Sequence, residues 1–191
     1  MRNKYLFAVF MVPFWLNACT PLVVGGAVVT AITVAHDRRS PGRVVDDKII
    51  QAKSQKAIHD TLKDSKHVKV DVYNGVVLLT GEVLTAEDRR RAEDAAASVA
   101  GVRKVVNELR IGYPTRVNQR LKDAAVTSRV KTALLKVDLP DFDPTRVKVT
   151  TVNGTVYLMG LVTRKEAAKV TQRVRRIKGV KKVVTVFEYL D

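Results

Sequence analysis

The one thiol of this chain, Cys19, closes the run Leu16-Asn17-Ala18-Cys19, and what precedes it limits the chemistry open to it. Arg2 and Lys4 give a positive start, residues 5–15 an apolar stretch, and Ala18 the small residue a signal peptidase needs beside its cut. The pattern predicts a signal peptide over residues 1–18, with Cys19 as the first residue after it and open to covalent modification. An uncleaved membrane anchor is the alternative reading, because a second apolar run, 22–35, follows at once. Neither run alone supplies the roughly 20 residues of a spanning helix, and Asn17, Thr20 and Pro21 interrupt the pair.

Other reactive side chains do not assemble. Asp138, Asp141 and Asp143 are close enough in a Pro-rich loop to hold a hard cation. The later bidentate Glu of a calcium loop is missing, and such clusters usually form turns. His36, His59 and His67 have no spacing that converges on a metal and read as surface residues. Ser98 and Ser128 have no partnering His, and the glycines at 75, 81, 154 and 160 serve turns and strands rather than a phosphate cradle. The expectation is a protein that is not an enzyme, with neither metal nor cofactor.

The elements that carry the remaining surface chemistry come from an internal repeat. Residues 68–83, VKVDVYNGVVLLTGEV, align without a gap on residues 147–162, VKVTTVNGTVYLMGLV, and each copy later closes with Gly-Val-x-Lys-Val-Val, at 101–106 and 179–184. Asn74-Gly75 and Asn153-Gly154 predict two-residue hairpin turns with positive φ at both positions. Thr85 with Asp88, and Thr163 with Glu166, open a helix, the second pair as a capping box. Gly101 and Gly179 end those helices in the left-handed region. Upstream, Ile50, Ser54, Ala57, Ile58, Thr61 and Leu62 share one helical stripe, as do Val126, Val130, Ala133, Leu134 and Val137. The prediction is an α+β protein of two tandem α-β-β-α-β domains, 46–112 and 122–191. Residues 19–45 precede them as an apolar segment and a polar linker, the linker running from His36 to Val45. No cysteine remains for a disulfide, so each small domain stands on its own core.

The Gly-x-Val-x-Leu-x-Gly-x-Val run after an Asn-Gly turn, and the later Gly-Val-x-x-Val, resemble the BON domain. Two such copies behind a run similar to a bacterial lipobox resemble the division- and outer-membrane-stress-associated lipid-binding lipoproteins of Gram-negative bacteria. That resemblance implies lipid, palmitate among it, as three acyl chains on Cys19. Thr20 in place of the inner-membrane-retaining Asp implies the outer membrane, on its periplasmic face. It further implies a role in envelope integrity, enrichment at division sites, and contact with the outer-membrane protein assembly machinery. Asn17 departs from the commoner small or hydroxyl residue.

Charge separates the copies. Residues 46–111 hold 12 Lys and Arg against 11 Asp and Glu, whereas residues 112–191 hold 17 against 7. A basic surplus of this size calls for an anionic partner. A signal peptide removes nucleic acid from reach, and no aromatic stacking platform is present, leaving an anionic phospholipid membrane. On the first helix of the second copy, Leu135 falls opposite the core stripe, near Lys131, with Lys122 and Arg129 on the same helix. The next helix adds an outer ridge of Lys165, Lys169, Gln172 and Arg176. In the first copy Lys63 stands where Leu135 does, and Glu87, Arg91, Asp94 and Ser98 make a mixed surface. The resemblance also implies phospholipid contact through that first helix of the second domain. The family pattern can place a bulky aromatic near its start, where this chain reads Asp123-Ala124-Ala125-Val126, implying shallower and more charge-dependent insertion. Two alternatives remain open: a protein-interaction or chaperone-like module, and binding of peptidoglycan or another anionic polymer, which would use the basic face without Leu135. The segment 22–35 either lies in the membrane interface or packs on protein.

Overall fold

Each Asn-Gly pair folds its flanking β-branched residues into a hairpin, because both positions take positive φ, 50° and 75° at Asn74-Gly75 and 52° and 78° at Asn153-Gly154. A computed structural model describes residues 37–191; Cys19, the signal peptide, the 22–35 run and His36 lie outside them. In the first domain, helix α1 (Pro41–Thr61) leads to strands β1 (Val68–Tyr73) and β2 (Val76–Val83), helix α2 (Ala86–Ala97) and strand β3 (Lys104–Ile111). The second repeats the order with α3 (Val117–Leu134), β4 (Val147–Val152), β5 (Thr155–Val162), α4 (Arg164–Arg175) and β6 (Lys182–Tyr189). In each sheet the hairpin is antiparallel and the last strand joins the middle one in parallel, so the orders are β1-β2-β3 and β4-β5-β6. The α+β fold in two copies is as the repeat predicts.

The helices begin earlier than the repeat suggests. The predicted linker ends at Ser40, whose side chain caps α1 by accepting from the Arg43 N–H at 3.2 Å, and Pro41 occupies the first turn. Ser-Pro is a helix start here because proline has no N–H to leave unpaired in that turn. Nor are the residues just before it a free linker. Arg39 bonds Asp37 and Asp47, each at 2.6 Å, and stacks 3.8 Å from the Tyr73 ring centroid. Arg38 makes a bidentate pair with Glu166 of the second domain at 2.7 and 3.0 Å. Likewise α3 starts at Val117, ahead of residue 122.

One carboxylate locks each first helix to its own hairpin. Asp47, 3% exposed, accepts the N–H groups of Asn74 and Gly75 at 2.6 and 2.8 Å. Asp123, 5% exposed, accepts those of Asn153 and Gly154 at 2.7 and 2.9 Å. The turn amides point away from the hairpin ladder and need acceptors, which the buried aspartates supply. At Gly81 (φ 112°) the chain crosses so closely that a Cβ would overlap the His67 carbonyl, which explains that glycine.

One face of each sheet packs under its own helices: Ile50, Ile58, Val70, Leu79 and Ala96 in the first domain, Val126, Leu134, Val149, Leu158 and Val170 in the second. The opposite faces meet one another. Tyr73, Val76 and Leu78 pack with Tyr157 and Met159 in a third core, flanked by Val106, Leu161, Val184 and Val186. All eight residues of β2 are therefore buried, the pattern of a strand covered on both faces. Polar groups rim this contact. Lys148 pairs with Asp71 at 2.8 Å, and Thr150 donates to the same carboxylate at 2.8 Å. Each turn asparagine reaches a glutamate of the other domain, Asn74 to Glu188 at 3.2 Å and Asn153 to Glu82 at 2.6 Å. Burial, with the Glu108 carboxylate nearby, pushes the Tyr157 phenol up to about 12.

Burial alone would push the Glu166 pKa up, but the Arg38 guanidinium and the Thr163 N–H outweigh it and hold the carboxyl below its usual range. A depressed carboxylate pKa stabilises the fold above the unfolded value of about 4.3 and ceases to do so as pH falls through the folded value. The stability difference between wild type and Arg38→Gln is therefore expected to be full at pH 6 and to shrink below about pH 4. Urea midpoints across that range measure it.

Candidate functional site

One hundred degrees per residue places Val117, Leu121, Ser128 and Leu135 within about 40° of one another, along the side of α3 opposite Val126 and Val130. The three apolar members of this stripe are exposed by 69%, 65% and 72% in chain order, so Leu135 is one end of a ridge running the length of the helix. Ala124, also exposed, fills the ridge between them. Tyr113, just before the helix, is 89% exposed. From sequence Leu135 stands alone because a second domain bounded at residue 122 leaves Val117 and Leu121 outside the wheel. The signal was present as the i, i+4 pair Val117 and Leu121, nine and five residues ahead of Val126, on the side of the helix opposite the core stripe.

The cations lie on both flanks of this ridge. Arg120 and Lys131 sit on one side, Lys122, Arg129 and Lys136 on the other, all exposed. They are not equivalent. The Lys122, Lys131 and Lys136 side chains make no hydrogen bond or ion pair among the described residues. Arg129 donates to the Lys178 carbonyl and so ties α3 to the turn after α4. Arg120 bonds the Thr115 carbonyl at 3.2 Å and contacts His67 Nδ1 at 2.7 Å. In that contact the guanidinium is the donor, since arginine has no acceptor.

Lys165, Lys169 and Arg176 are exposed along the outer side of α4, as the wheel predicts. Helix α4 lies beside α3 over the same face of the sheet, sharing a core through Val170 and Val174 with Val126 and Val130. The outer layer of the second domain is thus two helices whose solvent sides carry cations, one of them also an apolar ridge. Asp123, expected near the start of this helix where the family pattern can place an aromatic, lies six residues inside it and is the buried turn acceptor, facing away from solvent. Lys63 is exposed just past the end of α1, so the first domain presents a cation at the position of Leu135. Asp143 caps the short turn Pro144–Arg146 by accepting from Thr145 N at 2.8 Å, and Asp141 takes φ 59°. Among the described residues no three His, Cys, Asp or Glu side chains gather into a metal site.

A tandem of two such α-β-β-α-β units, packed sheet to sheet, defines a class of protein by its fold. Residues 46–113 and 122–191 each match the BON domain, and the chain belongs to that family. It is 37% identical over 179 residues to the outer membrane lipoprotein DolP of Haemophilus influenzae, spanning 93% of this chain and 91% of that relative. It is 33% identical to a 21 kDa hemolysin of Actinobacillus pleuropneumoniae over 81% of this chain and 80% of that protein. A shorter stretch, 55 residues or 29% of this chain and 27% of the relative, is 42% identical to the osmotically-inducible protein Y of Escherichia coli. The chain is accordingly a dual BON-domain lipoprotein of the outer-membrane type.

Proposed function

We propose that this protein is a non-enzymatic, lipid-anchored component of the outer membrane, on its periplasmic face, that reads anionic phospholipid through α3 and helps maintain envelope integrity. The observation that carries the reading is the apolar ridge Val117-Leu121-Leu135 set between lysines that bond no partner among the described residues. A lipid headgroup layer offers apolar contact and negative charge together, and each Lys or Arg near it contributes about 1 kcal/mol. A soluble polyanion would use the cations and leave the ridge in water. Attachment itself is supplied by Cys19, since multiple acyl chains anchor stably. The role of α3 is then to select which lipid, or which region of the membrane, the protein occupies. The relative DolP supports the link to the envelope by its name and extent. Enrichment at division sites and contact with the outer-membrane protein assembly machinery belong to the same proposal.

Sedimentation of the fragment 37–191, which lies within one compact unit, with vesicles tests it. Salt-sensitive binding to anionic but not neutral vesicles is expected. Leu121→Glu together with Leu135→Glu is expected to weaken it at least tenfold, because two leucines lose burial of about 1.5–3 kcal/mol each and the substituents repel the surface. Lys63→Glu is expected to change it by less than about twofold. Equal losses from the α3 pair and from Lys63→Glu would remove the case for a specialised second domain.

A further inference from the structure

The two domains share a backbone but treat their last strand differently. Strands β3 and β6 are both sheet edges. Gly112 N–H bonds the Val83 carbonyl while Val83 is paired with Ile111, and Leu190 N–H bonds Val162 while Val162 is paired with Tyr189. In a parallel ladder of that phase the odd-numbered residues of each strand direct their N–H and C=O groups to the free edge.

In the first domain the middle of that edge, the Asn107 carbonyl and the Leu109 N–H, is covered by its own side chains. Arg89 donates to the Asn107 carbonyl at 3.2 Å, and Asn107 Oδ1 accepts the Leu109 N–H at 3.2 Å. Asn107 Nδ2 bridges to the Arg89 carbonyl and to Glu93 at 2.9 and 3.0 Å. The corresponding residues of the second domain, 78 positions later, are Ala167, Thr171 and Thr185. None can repeat these bonds, and among the described residues no side chain bonds the outer groups of Val183, Thr185 or Phe187. What remains between α4 and β6 is an open groove of about 560 Å³. Arg164, Arg175 and Arg176 line it, with Ala168 and Tyr189 as apolar floor, and no carboxylate among its lining residues. Arg164 stacks 4.7 Å from the Tyr189 ring centroid.

An uncovered strand edge is a template for another strand, and proteins ordinarily close it, as this one does at the middle of β3. We infer that the β6 edge and the α4 groove form a docking site for an extended acidic segment of a partner protein, added to the sheet as a further strand. The partner's backbone would complete the ladder at Val183, Thr185, Phe187 and Tyr189, and its carboxylates would meet the three arginines. Alternate residues pointing into the groove would be small or apolar against Ala168 and Tyr189. A phosphate headgroup could pair with the same arginines but cannot satisfy a row of edge amides, so a peptide is the occupant the geometry favours. This site is independent of the α3 ridge. Arg176 borders both surfaces, and the discriminating variants leave it in place.

The probe is a fluorescein-labelled octapeptide alternating Glu and Val, titrated by anisotropy against the full chain in zwitterionic detergent micelles. Saturable binding is expected, with protection of the Val183, Thr185, Phe187 and Tyr189 amides from hydrogen exchange. Transplanting the first domain's closure, as Ala167→Arg, Thr171→Glu and Thr185→Asn together, is expected to weaken binding at least tenfold and leave anionic-vesicle sedimentation unchanged. Arg175→Glu, a single exposed change, is expected to weaken it at least threefold and serves as the independent arm should the triple variant not fold. N-methylation of alternate peptide residues on the pairing edge is expected to abolish binding. The inference is overturned by no binding, by equal binding of the N-methylated or of a Lys-Val peptide, or by a triple variant that loses vesicle binding instead.

Discussion

Asp123→Ala is expected to lower the unfolding free energy by about 3 kcal/mol, the largest effect of any single polar substitution in the second domain. The Asp123 carboxylate is buried and accepts two backbone N–H groups, from Asn153 at 2.7 Å and Gly154 at 2.9 Å. Hydrogen bonds to a charged group contribute about 1.5–3 kcal/mol each, and the turn amides left behind would have no acceptor in the core. Water entering the vacated space offsets part of that cost. Asp123→Asn is expected to cost less, because one carbonyl oxygen still accepts while its amide group faces donors. Chemical denaturation followed by circular dichroism measures both variants. The repeat supplies an internal control. Asp47 holds Asn74 and Gly75 in the same way at 2.6 and 2.8 Å, so Asp47→Ala should show a loss of similar size. A loss below about 1 kcal/mol in both would mean that the turns hold their conformation without the helices. For function the consequence is direct, since Asp123 fixes α3, and with it the exposed ridge, against the hairpin of its own sheet.

Leu78→Glu is expected to separate the two domains. Leu78 is fully buried and projects from β2 into the shared core with Tyr157 and Met159. An unpaired carboxylate there costs about 4 kcal/mol if it stays buried. The protein has a less costly response, which is to part the two sheets and hydrate the side chain, because each domain keeps its own helix-covered core. The wild-type fragment 37–191 is therefore expected to unfold in one transition and Leu78→Glu in two, with small-angle scattering showing a larger radius of gyration. Vesicle binding by α3 should survive, since the ridge lies on the opposite side of the second sheet. A single transition with unchanged dimensions would show that the interface tolerates the charge and contributes little to holding the domains together.

Much of this protein is written in its local sequence. Asn-Gly turns, the Thr163–Glu166 capping box and the left-handed backbone of Gly101 and Gly179 were all legible, because each depends on a few neighbouring residues with narrow backbone preferences, although α2 and α4 end earlier than those glycines, at Ala97 and Arg175, with right-handed caps at Ser98 and Arg176. The repeat made the second domain a prediction from the first. The same local logic runs through Ser40-Pro41, which reads as a linker by composition and as a helix start by capping geometry. The basic surplus of the second copy and the position of Leu135 were equally readable, since net charge and helical phase need no partner.

Contacts between distant segments decided the rest. Asp47 and Asp123 look like ordinary surface acids on amphipathic helices, and only the approach of a hairpin turn some thirty residues away makes them buried acceptors. The second face of each sheet alternates tyrosine, methionine and valine with Asp71, Glu82, Glu108 and Lys148, a mixture that fits solvent as well as a domain interface. Whether it is covered depends on how two whole sheets match, which no local pattern encodes. Closure of the β3 edge by Arg89 and Asn107, and its absence at β6, is of the same kind. It arises from side chains eighteen residues apart meeting across a helix and a strand, a distance only the folded chain brings to hydrogen-bond length.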